Sequence, residues 1–474
     1  MRNPHVDRRR GTAMRWSGLL FLILPACGGD GCGNTEELTA KQLRDPEVCA
    51  DCHPNHYEEW AGSMHAYAAD DPLFLAMNQR GQRETDHELG TFCVQCHAPM
   101  AVELGLTDDG LNLADLDQEV KGVTCYFCHQ VTDVTGTHNN PLDLAMDRTM
   151  RGELSNPLEH EGHNSKYSAL HDREQLESSD MCGSCHDIVN PRGVHIERTY
   201  TEWLDSLYSE PNSVFGLNCG DCHMPGRDDV AADYEGVKSR RVKDHSMPGV
   251  DKALTEWPGK EEQAAKIAQL LDTTVAATVC ATPPGEAATF AVVSLDNVSA
   301  GHAFPSGASA DRRVWVELLA YDDSGELVFE SGVVEDGQPL ADLQDSNLWS
   351  MHDEFIGSGG EPVHMFWDAV DYIPGALPVP VTLDTSDPDY VDPHILKTYV
   401  MGNFELSRIE MRIQLRAVGL DVIDDLIESG DLDPKYRDEI TTETLAGSVV
   451  VWTPEAASPS GDLLCVPQPP ATTR

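Results

Sequence analysis

Positive charge is what this sequence has least of: 33 Lys and Arg stand against 80 Asp and Glu, a formal net charge of -47 at pH 7. So acidic a surface repels phosphate backbones, which excludes nucleic acid as a partner and favours basic proteins or cations. A role for the acidity in solubility or salt adaptation, with no partner, stands beside that reading. Long hydrophobic runs are lacking too. The run Leu19-Leu20-Phe21-Leu22-Ile23-Leu24 falls far short of the ~20 residues of a membrane-spanning helix. There is no Ser-His-Asp arrangement, phosphate loop or metalloprotease helix, so the common hydrolase and nucleotide chemistries have no footing.

Cysteine, by contrast, is patterned. Ten of the 14 cysteines fall in five Cys-x-x-Cys-His units: Cys49-Cys52-His53, Cys93-Cys96-His97, Cys125-Cys128-His129, Cys182-Cys185-His186 and Cys219-Cys222-His223. Two thiols three residues apart on one helical turn add to the two vinyl groups of one haem, and the next imidazole lies under the iron as its proximal ligand. Zinc knuckles place no demand on the residue after the second Cys, and a thioredoxin-like pair occurs once, beside a βαβ pattern. The units therefore imply five covalently bound haem c groups, with His53, His97, His129, His186 and His223 as proximal ligands. No Cys-x-x-Cys-Lys unit is present.

A chain of 474 residues predicts two main domains. Residues 1–26 read as a lipoprotein signal peptide, since Arg15 precedes the apolar run and Leu24-Pro25-Ala26-Cys27 resembles a bacterial lipobox. That resemblance implies lipidation at Cys27 and an exported protein, lipid-anchored in the bacterial envelope, on the periplasmic or outer-membrane side. Residues 27–46 read as a flexible tether in which Cys32 has no assigned role. Residues 47–272 form a mainly helix-and-loop pentahaem domain. The spacing of its motifs is irregular, so it is not a repeat array. Its last stretch, around Lys260-Glu-Glu-Gln-Ala-Ala-Lys266, reads as a connecting helix.

Low-spin electron-transfer haems need a second axial ligand. His65 leads the candidates. If the chain from His53 to His65 is helical, the two lie about 18 Å apart, at ~1.5 Å per residue, so His65 must serve a neighbouring haem. The run Cys49-x-x-Cys-His-Pro54 with Tyr57, Trp60, Ser63 and His65 resembles the cytochrome c-552/c-554 family of multihaem proteins. In that family the His after a Trp-x-x-Ser pattern is a haem ligand. Further pieces resemble the same group: Tyr200-Thr-Glu202-Trp203-Leu-Asp-Ser206, Cys219 to Pro225, and Arg240-Arg241-Val-Lys-Asp-His245-Ser-Met-Pro-Gly249. The second Trp-x-x-Ser departs from the pattern by ending at Leu207-Tyr208, with no His. On these grounds His65, His245, His163 and His171 are the distal candidates, with His56, His87, His138, His160 and His195 as further positions. Met100 and Met224, tethered close behind proximal histidines, read as packing residues.

From residue 273 to 470 strand-like runs dominate, with period-two alternation in Arg313–Tyr321 and Ile409–Arg416 and a hairpin turn at Asp322-Asp-Ser-Gly325. These predict an all-β, immunoglobulin-like sandwich. Cys280 and Cys465, near its two ends, are a candidate disulfide in an exported domain. The loop Gly301-His302-Ala-Phe304-Pro305-Ser-Gly307 resembles the Gly-His-x-Phe-Pro-Thr-Gly stretch of β-domains attached to many multihaem cytochromes. His302 is therefore either a haem ligand reaching across from the β-domain or a structural loop residue.

The expected function is electron relay through five haems to redox partners with basic docking surfaces, with no catalytic residue assigned. The alternative is an oxidoreductase in which one open haem acts on nitrite, hydroxylamine or nitric oxide. The absence of a lysine-ligated site weighs against it.

Overall fold

A computed structural model describes residues 37–468, apart from 212, 213, 287, 298, 383, 385, 392 and 393. The signal segment, Cys27, Cys32 and the first part of the tether therefore lie outside the described residues.

In the first half each attachment unit occupies about one helical turn. The amide N–H groups of His53, His97 and His186 donate to the carbonyls of Cys49, Cys93 and Cys182 at 2.8, 3.3 and 3.0 Å. This i→i−4 closure brings positions i, i+3 and i+4 to one face, so both thiols and the imidazole point the same way. Side-chain caps start several of these turns. Thr124 accepts from Phe127 N–H before the third unit, and Asn218 with Asp221 forms a capping box at the fifth.

The expected single helix from His53 to His65 is broken. Pro54–Ala61 ends at Gly62, and Ser63 caps a new turn, Met64–Tyr67. This segment recurs further along. Tyr57 N–H donates to His53 O at 2.9 Å, and Tyr200 N–H to His186 O at 3.0 Å. Ser63 and Ser206 each donate to the carbonyl of the Trp three residues earlier, at 2.7 Å. Trp60 Nε1 donates to Val123 O at 2.8 Å and Trp203 Nε1 to Leu217 O at 2.9 Å, carbonyls that each precede an attachment unit by two residues. An internal duplication thus relates the first and third units to the fourth and fifth. The second unit lies within an insertion in the first copy.

Beyond the helix Lys260–Leu271 the chain forms two antiparallel sheets. One orders its strands 394–402, 289–296, 276–281, 463–467 and 458–460. The other is built on 327–331, 313–322, 406–416 and 443–444. Alternation is clean in Thr289–Asp296, where every second residue is buried. Val279, Ala291, Val293 and Leu295 of one sheet share a core with Val316, Leu318, Ile409 and Ile413 of the other. Cys280 and Cys465, partners across two neighbouring strands, are joined by a disulfide.

The C-terminal part is β-rich rather than all-β. Leu420–Glu428 is a helix, with Leu420, Val422, Ile423 and Leu426 buried. Its apolar spacing follows the helical rather than the strand period. It packs with Leu432, Met365 and Trp367 against Ala76 and Leu89 of the first half. Arg80, on the helix Pro72–Glu84, pairs with Asp425 at 2.8 Å. Buried Arg312 grips Asp251 through both guanidinium nitrogens at 2.8 Å.

Candidate haem sites

The attachment units converge on one continuous cavity of about 1510 Å³, larger than the roughly 300–1,000 Å³ of a pocket for one drug-sized ligand. Cys49, Cys52, Cys96, Cys125, Cys128, Cys182, Cys185, Cys219 and Cys222 line it, with all five proximal histidines. Thiols of different units meet there: Cys49 with Cys125, Cys96 with Cys185, and Cys182 with Cys219. The first site therefore adjoins the third, and the fourth adjoins the second and the fifth. Cys128 in turn lies within the electrostatic reach of Cys182 and Cys185, which connects the third site to the fourth. Cys52 is disulfide-bonded in this structure, so a thioether there requires it to be reduced first.

Every proximal imidazole is anchored through Nδ1. His53 donates to Ala231 O at 2.6 Å, His97 to Ala68 O at 3.1 Å and His223 to Pro248 O at 2.7 Å. His129 donates to Arg151 O, and His186 to the carboxylate of Glu197 at 3.1 Å. A filled Nδ1 fixes the tautomer and leaves Nε2 as the metal ligand.

Two imidazoles that bind one iron from opposite faces, with metal–nitrogen bonds of ~2 Å, have ring centroids roughly 6 Å apart. Four proximal rings have such a neighbour. His163 lies 6.0 Å from His53, His65 6.1 Å from His186, His245 6.4 Å from His129 and His302 6.4 Å from His223. Three of these neighbours also spend Nδ1 on a backbone carbonyl, namely Asn164 O, Lys243 O and Ala303 O at 3.0, 3.0 and 2.8 Å. Gly301, at φ 76°, takes a left-handed turn immediately before His302.

Burial pushes His53 and His302 down to about 4 and His65 to about 3, and holds His97, His129, His163, His223 and His245 below the ordinary imidazole range. These rings are neutral at pH 7, the state that binds a metal. At His186 burial also opposes the charge, but the Glu197 carboxylate outweighs it and raises the value.

His171 is placed differently from the other distal candidates. It lies 5.5 Å from His129, but its Nε2 is bonded to Cys128 O at 2.8 Å, and its Nδ1 is buried without a partner. His56 and Glu59 gather around His245, 4.6 Å from His56 by ring centroid. The group belongs to the same cavity, since His245 faces His129. His97 differs from the other proximal rings. Among the described residues no imidazole lies opposite it, and Phe74 stacks on its face at 4.0 Å and 3°.

The donor set of thiols and imidazoles that lines the cavity fits haem c. Neither Phe74 nor the Glu197 anchor carried a signal in the sequence.

Fold and site together define a multihaem c-type cytochrome. Residues 48–130, which hold the first three attachment units, match the family described as cytochrome c554 and c-prime. Its fold is similar to the crystal structure of a penta-heme cytochrome c552 from Thermochromatium tepidum. The TM-score is 0.58 at 19% identity, over 86% of this chain and 98% of that one. No curated protein matches the chain. Among the described residues no helix is long and apolar enough to cross a membrane.

Proposed function

We propose that the chain is an exported lipoprotein that relays electrons through five haem c groups, bound at Cys49/Cys52, Cys93/Cys96, Cys125/Cys128, Cys182/Cys185 and Cys219/Cys222. The haem supplies a one-electron iron couple; the protein supplies its ligation, spacing and electrostatics. The observation that carries this reading is the facing of four proximal imidazoles by a second imidazole at 6.0–6.4 Å. The axial pairs are then His53/His163, His129/His245, His186/His65 and His223/His302. His65 follows the first attachment unit yet pairs with the proximal ligand of the fourth, so its ligation would tie the chain segment after the first unit to the fourth site.

In this reading residues 1–26 are the signal peptide and 27–46 a tether lipidated at Cys27. Residues 47–272 are the haem domain, and 273–470 an immunoglobulin-like module that contributes His302. The thiol contacts arrange the sites as a branched path, first to third to fourth to fifth, with the second on the fourth. The acidic surface suits a cationic redox partner.

His97 favours keeping the second reading for one site. With no facing imidazole among the described residues, the second site is where a small inorganic nitrogen compound would bind if the protein is an oxidoreductase. Electron paramagnetic resonance of the oxidised protein, with iron content and carbon monoxide titration of the reduced form, tests both readings. Four low-spin irons and carbon monoxide uptake by one haem are expected. Fewer than four low-spin irons would refute the bis-imidazole relay. Turnover of nitrite or hydroxylamine that saturates with substrate would move the function to catalysis at the second site.

A further inference from the structure

The internal duplication carries a pair of carboxylates that haem attachment does not require. Glu59 stands immediately before Trp60, and Glu202 immediately before Trp203. Both lie on the short helix that its Trp pins to the segment leading into an attachment unit. Glu59 Oε2 accepts the backbone N–H of His245 at 3.0 Å. Glu202 Oε2 accepts the backbone N–H of Ala303 at 3.1 Å and the hydroxyl of Ser306 at 2.6 Å. The ring of His245 lies 6.4 Å from His129, in the unit that Trp60 leads into, and the ring of His302 lies 6.4 Å from His223, in the unit that Trp203 leads into. The same helix thus touches both sides of one site. Its Trp holds the proximal strand of the chain, and its Glu holds the segment opposite.

The two gripped segments have different origins. One follows the last attachment unit, and the other is a loop of the β-rich part. Both nevertheless read His, any residue, an apolar residue and Pro: His245-Ser-Met247-Pro248 and His302-Ala-Phe304-Pro305. The second grip is reinforced by Thr199, whose Oγ1 lies 2.8 Å from Ser306 Oγ and accepts Gly307 N–H at 3.0 Å. Neither gripped His lies on the helix that holds its proximal partner, so each depends on contacts of this kind for its approach. His65 needs none, because it sits on a turn capped by Ser63.

We propose that Glu59 and Glu202 are equivalent positioning residues that hold His245 and His302 against the third and fifth haem sites. The proposal rests on the reading of those two histidines as axial ligands.

The test uses the haem-loaded full chain and the variants H245A, H302A, E59A, E202A, E59Q and E202Q. Haem content is checked first; low-spin signal intensity, carbon monoxide uptake on reduction and the midpoint potential of the affected haem are then read. E59A is expected to reproduce, in part, the loss of one low-spin iron and the gain of one carbon monoxide site seen in H245A. E202A is expected to do the same with respect to H302A. The glutamine variants, which keep a neutral acceptor, should restore most of the low-spin signal. If the histidine variants change the spectrum while E59A and E202A leave ligation and potential unchanged, the positioning role is overturned and the ligand reading survives. If H245A and H302A leave the number of low-spin irons the same as in the parent, the ligand reading fails and the positioning role with it. Should an alanine variant fail to take up haem, the glutamine variant decides. Its weaker acceptor must speed carbon monoxide capture at that haem, and an unchanged rate overturns the proposal.

Discussion

The disulfide between Cys280 and Cys465 closes a loop with a sequence separation of 185. All five attachment units lie before Cys280, so no thioether crosslinks that loop. Both cysteines are half-buried, and Cys280 lies on the face of its strand opposite Val279 and Ala281 of the core. A double Cys280→Ser, Cys465→Ser variant therefore removes a constraint on the unfolded chain without opening a cavity. The chain-entropy relation gives about 5 kcal/mol for a loop of this length at 25 °C, as an upper figure. With a urea slope of ~2–3 kcal/mol per M, the unfolding midpoint of the β-rich part should fall by roughly 2 M. Fluorescence of the core residues Trp315 and Trp452 reports that transition, and the reduced parent must behave like the variant. Haem spectra in native buffer should be unchanged, since neither cysteine lines the haem cavity. A midpoint within about 0.5 M of the oxidised parent would refute the reasoning.

Asp251→Asn weakens the twofold grip of buried Arg312, which keeps its bonds to Ala417 O and Ser306 O. It should cost about 2 kcal/mol, read as a lower thermal midpoint; an unchanged midpoint means the pair contributes nothing net. Trp60→Phe and Trp203→Phe each leave a carbonyl two residues before an attachment unit without its donor. Each should cost about 1–3 kcal/mol, and equal losses in the two variants are expected from the duplication. Burial pushes the Asp71 carboxyl up to about 7, with Asp251 adding to the rise. The folded protein then binds this proton more tightly than the unfolded chain does. Its contribution to stability is fully present below the unfolded value of about 4 and is lost as pH rises towards 7. Asp71 also caps its helix by accepting from Leu73 N–H at 3.0 Å, a task Asn performs equally well. Asp71→Asn should thus flatten the stability profile between pH 4 and 7, and an identical profile would show that the shift is absent.

Much of the site was legible because haem attachment is local. Two thiols and an imidazole within five residues need only one helical turn, so the spacing of the cysteines already identifies the proximal ligands. The alternation in Arg313–Tyr321 and Ile409–Arg416 marked strands for the same reason. Strands such as 276–281 and 394–402 escaped notice, and so did the helix 420–428. Short apolar runs are ambiguous in period, and it was packing against Ala76 and Leu89 that gave the helix its buried face.

The sequence by itself determined the attachment units, the acidic surface and the β-rich character of the second half, all of which depend on residue identity and short-range spacing. The tertiary structure alone decided which imidazole faces which. His65 meets His186, His163 meets His53 and His302 reaches His223 across separations of about 80 to 120 residues. It also decided that Glu59 and Glu202 touch the segments of His245 and His302, and that His171 turns its Nε2 to a carbonyl. Such pairings arise from chain closure and side-chain packing over long distances, and no local periodicity encodes them.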